Sequence, residues 1–286
     1  MVAPPHEKRF TVGGGVDLHV EGWPPQVCSH PVGFVLVHGL ASNAAMWRGV
    51  AERLKAMGHA VVAVDQRGHG RSSKPSGGYE VSTFVADLVE LLRQLPIRRP
   101  ALVGQSFGGN VVIELAARHP DLVAGVACVD GGWIELSDHF SSWDECSAVL
   151  APPMFEGRPY DEIEKLLRSD RADWPESAIE GLLANFEVRA DGTVAPWLTR
   201  PRHIEILRSL WEHRPSKLYP SVPVPVLLVP AVDPARPEVS DSDVDRAAAL
   251  LPIARLHPMA GHHDLHAQHP EAMADLLHEW ADDNLC

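Results

Sequence analysis

Short, uninterrupted apolar runs alternate along this chain with stretches in which apolar side chains recur every three or four positions. Phe34-Val35-Leu36-Val37, Ala60-Val61-Val62-Ala63-Val64, Ala101-Leu102-Val103, Val123 to Val129 and Val224 to Val229 are the runs. Such segments suit strands buried on both faces, as in a parallel sheet. Between them, Trp47, Val50, Leu54 and Met57 predict a helix stopped by Gly58. Phe84, Leu88, Leu91, Leu92 and Leu95 predict a second, and Val111, Val112 and Leu115 a third, which Arg118-His119-Pro120 ends. Strand alternating with helix calls for right-handed crossovers and a doubly wound sheet with helices on both faces. Ahead of it, residues 9–23 alternate apolar and polar side chains around Gly13-Gly14-Gly15, which predicts a β-hairpin at a sheet edge.

The rhythm breaks from about Trp133 to Tyr219. No buried-strand run occurs there; helical patterns take its place (Ile163, Leu166, Leu167; Ile179, Leu182, Leu183, Phe186; Ile204, Leu207, Trp211), together with five of the eight tryptophans. The expectation is a core of residues 1–132 and 220–286 with a helical cap, 133–219, inserted over the carboxyl edge of the sheet, where ligands bind in such folds. After it come the strand Val224–Pro230, a helix carrying Val244, Ala247, Ala248 and Leu251, a short strand Ile253–His257, and a last helix with Met273, Leu276, Leu277 and Trp280 at i, i+3, i+4 and i+7.

Composition narrows the field. The 286 residues are enough for one large domain with an insertion, and 45% hydrophobic with 22% charged residues is ordinary for a globular protein. A formal net charge of −13 with no basic run argues against nucleic acid as a partner. The N-terminal residues lack an apolar core of signal-peptide length, and no segment reaches about 18 consecutive apolar residues. A cytoplasmic chain with no membrane partner, monomeric or homodimeric, is expected. Cys28, Cys128, Cys146 and Cys286 are scattered with no zinc-like spacing, so they read as buried or incidental thiols.

Chemistry concentrates at Gly104-Gln105-Ser106-Phe107-Gly108-Gly109. A serine on a sharp strand-to-helix turn is held in an unfavourable backbone conformation, while the flanking glycines admit neighbouring backbone. The first N–H groups of the following helix point toward charge created at Ser106. With His38-Gly39-Leu40, Asp65-Gln66-Arg67-Gly68-His69-Gly70-Arg71-Ser72 and a late histidine motif, the chain resembles the α/β-hydrolases that carry a helical cap. The resemblance covers nearly everything outside the cap.

That resemblance implies Ser106 as nucleophile and the backbone N–H groups of Phe107 and Leu40 as oxyanion donors, with His38 in the oxyanion loop. Asp233, just after the penultimate strand, is the expected acid, and Asp130, ending the strand after the elbow helix, is the alternative. His263 is the expected base: His263-Asp264-Leu265-His266 before Pro270 fits an H-x-x-H-x-x-x-P spacing, whereas Gly261 directly before His262 favours that neighbour. A metal held by His262, His263, His266 and His269 lacks a helical ligand spacing such as H-E-x-x-H, so no metal or organic cofactor is expected. The implied activity is a serine hydrolase acting through an acyl-enzyme on a small, partly apolar ester, lactone or thioester. Hydrolysis of a carbon–carbon bond by the same triad is one alternative, and a ligand-binding receptor with little turnover is another. Epoxide hydrolases and haloalkane dehalogenases need a carboxylate where Ser106 stands.

Overall fold

The computed structural model describes residues 5–25, 27, 29–232 and 242–286. Strands β1 (His6–Val12) and β2 (Val16–Trp23) form the expected antiparallel hairpin, and Gly14, at φ 71°, turns the chain between them. The regular alternation follows: β3 (Phe34–Val37), α1 (Arg48–Ala56), β4 (Val61–Val64), α2 (Val81–Gln94), β5 (Ala101–Gln105), α3 (Phe107–Arg118) and β6 (Gly125–Val129). All four residues of β3 are fully buried, as the unbroken apolar run requires. Burial of each such side chain contributes about 1.5–3 kcal/mol.

Between β6 and the next sheet strand the chain forms α4 (Leu136–His139), α5 (Trp143–Val149), α6 (Tyr160–Asp170), α7 (Glu176–Leu183), the strands β7 (Phe186–Val188) and β8 (Val194–Pro196), and α8 (Arg200–Glu212). The small antiparallel hairpin β7–β8 differs from the all-helical expectation. Its strands are only three residues long, too short for alternation to register in the sequence, and Phe186 continues the helical spacing of α7.

The chain then returns through β9 (Val226–Val229), β10 (Ala231–Val232), α9 (Ser242–Leu250), β11 (Ala254–Leu256), β12 (Met259–Ala260), α10 (Leu265–Gln268) and α11 (Pro270–Asn284). The main sheet runs β1-β2-β4-β3-β5-β6-β9-β11, parallel from β4 onward. One core lies between the sheet and α2, α3 and α8; a second lies on the other face against α1 and α11. A third, smaller core joins Ile163, Trp174, Ile179 and Val194 to Met46 and Ala267, and so fastens α6 and α7 to the sheet domain.

Candidate active site

Ser106 sits between β5 and α3 at φ 52°, ψ −120°, a region that L-residues rarely occupy. Its N–H donates to the Val129 carbonyl at 2.9 Å and its own carbonyl accepts from Gly109 N–H at 2.9 Å, so backbone on both sides holds the turn. The surrounding glycines are there for space. A Cβ on Gly104 would lie 2.2 Å from the Gly108 carbonyl oxygen, and one on Gly108 would lie 2.5 Å from that of Val37. Strand and helix therefore cross at backbone contact, and Ser106 projects from the crossing.

Gly39 brings the next loop against the elbow: a Cβ there would stand 3.0 Å from the Ser106 Cβ. Among the described residues, neither Leu40 N–H nor Phe107 N–H takes part in the turn and cap hydrogen bonds. His38 is engaged within the loop that follows β3. Its Nδ1 meets the Gly39 carbonyl at 2.7 Å and its Nε2 accepts from Gln66 N–H at 3.0 Å. The carbonyl can only accept, so the proton is on Nδ1 and the ring is neutral; burial lowers its pKa from the ordinary 6.5. Both nitrogens are spent on holding the loop.

Asp65 organises that loop from below. Its carboxylate accepts from Ala44 N–H at 2.7 Å, Arg71 N–H at 2.9 Å and pairs with His19 Nδ1 at 2.9 Å. Burial pushes its pKa up, but His19 and the donated hydrogen bonds outweigh it and hold the carboxyl down at about 2. Arg67 makes a bidentate pair with Asp87 and also donates to the Gly78 carbonyl.

On the other side of the elbow, Asp130 directly follows β6 with φ 44°. One carboxylate oxygen accepts from Ala231 N–H at 2.9 Å; the other lies 2.5 Å from His263 Nδ1. The two-stranded parallel pairing of β10 with β12 aligns Val232 with Ala260 and so draws the histidine loop up beside the strand ends. Gln105, the residue before Ser106, donates from its side chain to the His263 carbonyl at 3.1 Å. Burial lowers the His263 pKa, the hydrogen bond and charge of Asp130 raise it, and the net direction is upward from 6.5. Asp233 lies outside the described residues.

His262 takes another course. Its N–H donates to Gln268 Oε1 at 2.8 Å and its ring faces Trp174 at 6.3 Å between centroids. His266 is buried, with its ring 4.1 Å from that of Trp47. Among the described residues the donor atoms of His262, His263, His266 and His269 do not gather into a possible ligand set.

The tryptophans between Trp133 and Trp211 are largely engaged in packing. Trp133 and Trp174 are buried, and Trp143 and Trp211 meet edge to face at 6.2 Å. Asn43 ties the loop after β3 to α7, donating to the Gly181 carbonyl at 2.8 Å and to Asn185 Oδ1 at 2.7 Å. An open groove of about 650 Å³ runs past Tyr79, Trp143, Ile204 and Arg208, and none of the site residues lines it. The contacts made by Gln105 and Asn43 were not open to sequence reasoning, because each spans more than a hundred residues and neither type carries a periodic signal.

Comparison with known proteins agrees with this architecture. Residues 33–172 match the family model described as alpha/beta hydrolase fold. A 2-(acetamidomethylene)succinate hydrolase of Mesorhizobium japonicum is 30% identical over 229 residues, 77% of this chain and 75% of the relative. A non-heme chloroperoxidase of Streptomyces lividans is 28% identical over 290 residues, 93% and 97% of the two chains. The solved structure of E-2-(acetamidomethylene)succinate hydrolase superposes with a TM-score of 0.79 at 26% identity, covering 97% of this chain and 99% of the other. A thioesterase domain from the curacin biosynthetic pathway shares the fold at a TM-score of 0.74 and 23% identity, over 96% and 99% of the two chains. The chain belongs to the α/β-hydrolase superfamily, a family of hydrolases. No helix among the described residues is long and apolar enough to cross a membrane.

Proposed function

We propose that the chain is a serine hydrolase in which Ser106 is the nucleophile, His263 the general base and Asp130, rather than Asp233, the acid. The observation that carries this reading is the 2.5 Å contact between His263 Nδ1 and Asp130 Oδ2 beside a strained serine elbow. Asp130 fixes the proton on Nδ1, which leaves Nε2 as the acceptor for the Ser106 hydroxyl proton. Ser106 Oγ adds to the substrate carbonyl, and the N–H groups of Leu40 and Phe107 receive the oxyanion, each such donor being worth about 3 kcal/mol in the transition state. His263 then protonates the leaving group, and water releases the acyl group by the same steps in reverse order.

The substrate is a small, partly apolar ester, lactone or thioester, taken in under a cap formed by residues 133–219. Multiple-turnover hydrolysis of p-nitrophenyl acetate and butyrate tests the mechanism: the rate should collapse in Ser106→Ala, and a rate that survives the substitution unchanged removes Ser106 from the chemistry. A second reading, cleavage of an acylated nitrogen, is favoured by the 30% identity to a relative named for hydrolysis of 2-(acetamidomethylene)succinate. A screen that sets acyl esters, lactones and thioesters beside N-acyl compounds separates the two by relative kcat/KM.

A further inference from the structure

Three histidines from distant parts of the sequence meet at the amino edge of the sheet, the opposite edge from Ser106. His30 precedes β3, His59 precedes β4, and His278 lies on α11. The His30 and His59 rings are 3.9 Å apart between centroids, and His278 stands 5.5 Å and 5.1 Å from them. One ring nitrogen from each lies within 4.8 Å of the others. Asp282, one turn beyond His278 on α11, hydrogen-bonds His30 Nε2 and places its second oxygen 3.6 Å from His278 Nε2.

We propose that His30, His59 and His278, with Asp282 as fourth ligand, form a binding site for a divalent transition metal of the zinc type. Three imidazoles and one carboxylate are a donor set suited to tetrahedral Zn²⁺, with Co²⁺ and Ni²⁺ as chemical substitutes. His59 is prepared for this role. Its Nδ1 meets the Val32 carbonyl at 2.7 Å and must therefore carry the proton, which leaves the Nε2 lone pair facing the cluster. A backbone carbonyl on the far nitrogen is the usual way a ligating imidazole is oriented.

At present that lone pair is met by His278 Nδ1 at 2.9 Å. A tetrahedral ion with bonds of about 2.0–2.1 Å needs its donors roughly 3.3 Å apart, so this pair and the shorter His30–Asp282 contact both have to open while the wider separations close. Asp282, which now groups with His30 and Cys286, has to swing toward the three rings to complete the set. On binding, the proton of His30 Nε2 moves to Nδ1, which costs the hydrogen bond that Val32 N–H now donates there at 3.2 Å, and that of His278 Nδ1 moves to Nε2 beside Asp282. The ion would staple α11 to the segments leading into β3 and β4, so its effect is on the docking of the C-terminal helix rather than on the chemistry at Ser106.

The test uses the full chain freed of metal with a chelator and titrated with Co²⁺ and Zn²⁺. A single equivalent of Co²⁺ should give the d–d spectrum of a tetrahedral site, Zn²⁺ should displace it, and the melting temperature should rise with either ion. His278→Gln and Asp282→Asn lie at the surface of α11; with metal-free circular dichroism unchanged, each should weaken Zn²⁺ binding by about 100-fold or more, since loss of even an outer-shell partner costs 10–100-fold. His262→Gln with His269→Gln should bind as the unaltered chain does. Absence of stoichiometric binding overturns the proposal, and so does binding that survives His278→Gln and Asp282→Asn or disappears with His262→Gln and His269→Gln.

Discussion

Gly131 lies directly against the backbone of Ser106: a Cβ at position 131 would stand 2.2 Å from the Ser106 carbonyl oxygen and 2.6 Å from its Cα. These atoms are backbone, and their turn is pinned by hydrogen bonds to Val129 and Gly109, so they cannot yield as a flexible side chain would. Gly131→Ala must displace the elbow. Overpacking of this kind costs about 1–3 kcal/mol, and a misplacement of about 1 Å at a reacting group costs roughly 100-fold in rate. The expected outcome is a lowered melting temperature with a disproportionate fall in kcat for p-nitrophenyl butyrate. Gly77→Ala, where nothing lies within 4 Å of the added carbon, is the matched control and should change neither.

The pairing of His263 with Asp130 predicts the acid limb of the pH–rate profile. With the histidine pKa raised above 6.5, the neutral base is lost as pH falls through a value higher than that of a free imidazole. Asp130→Asn removes the group that raises it, so the limb should move to lower pH while kcat drops by about 10⁴-fold. Asp233→Asn should leave both in place. The same shift has a stability sign. A raised folded pKa stabilises below 6.5, and the contribution is lost as pH rises through the folded value. The His263 side chain is 53% exposed, so solvent screening makes that contribution small and kinetics the better readout. An unshifted limb in Asp130→Asn would disconnect the two residues.

The buried strands were legible because a parallel sheet covered on both faces demands unbroken apolar runs, and the elbow because its glycines are forced by contact. The pairing of Asp130 with His263 was not legible in the same way. Asp130 and Asp233 each follow a strand, and what brings Asp130 to His263 is a positive φ at Asp130 together with the two-residue β10–β12 pairing, neither of which leaves a periodic trace. His38 was read from its motif as a residue of the loop after β3, but the sequence does not show which way its ring turns. The ring turns inward, where the Gly39 carbonyl and the Gln66 N–H fix it. The His30–His59–His278 cluster spans almost 250 residues and no local spacing announces it.

Asp65 should prove as important to folding as any apolar residue. It is buried, and its carboxylate satisfies two backbone N–H groups and His19 at once, so Asp65→Ala leaves the Ala44 and Arg71 N–H groups and the His19 ring stranded. Breaking a buried charge pair by removing one partner costs about 3–5 kcal/mol. Its folded pKa near 2, against 3.8 for a free aspartate, means that the stabilisation is present above 3.8 and is lost as pH falls toward 2. Urea titrations at pH 7 and pH 3 should show the two chains converging at the lower pH. A constant gap between them would show that the ionised carboxylate is not what the fold uses.

His266 should be replaceable, although it sits in the histidine motif. Its ring is fully buried against Trp47, and neither ring nitrogen has a hydrogen-bond partner among the described residues. Burial drives its pKa down to about 3, so the native ring is neutral while the unfolded chain begins to take up a proton below 6.5. Between those two values native stability falls as pH falls, by up to about 1.4 kcal/mol per pH unit from this one group. An apolar side chain of similar bulk keeps the packing and removes the titration. His266→Leu should therefore melt at the same temperature as the unaltered chain or higher at pH 7.5, and should lose less of its stability between pH 6.5 and pH 4. A large drop at pH 7.5 with an unchanged acid slope would mean that the ring is hydrogen-bonded and doing more than filling space.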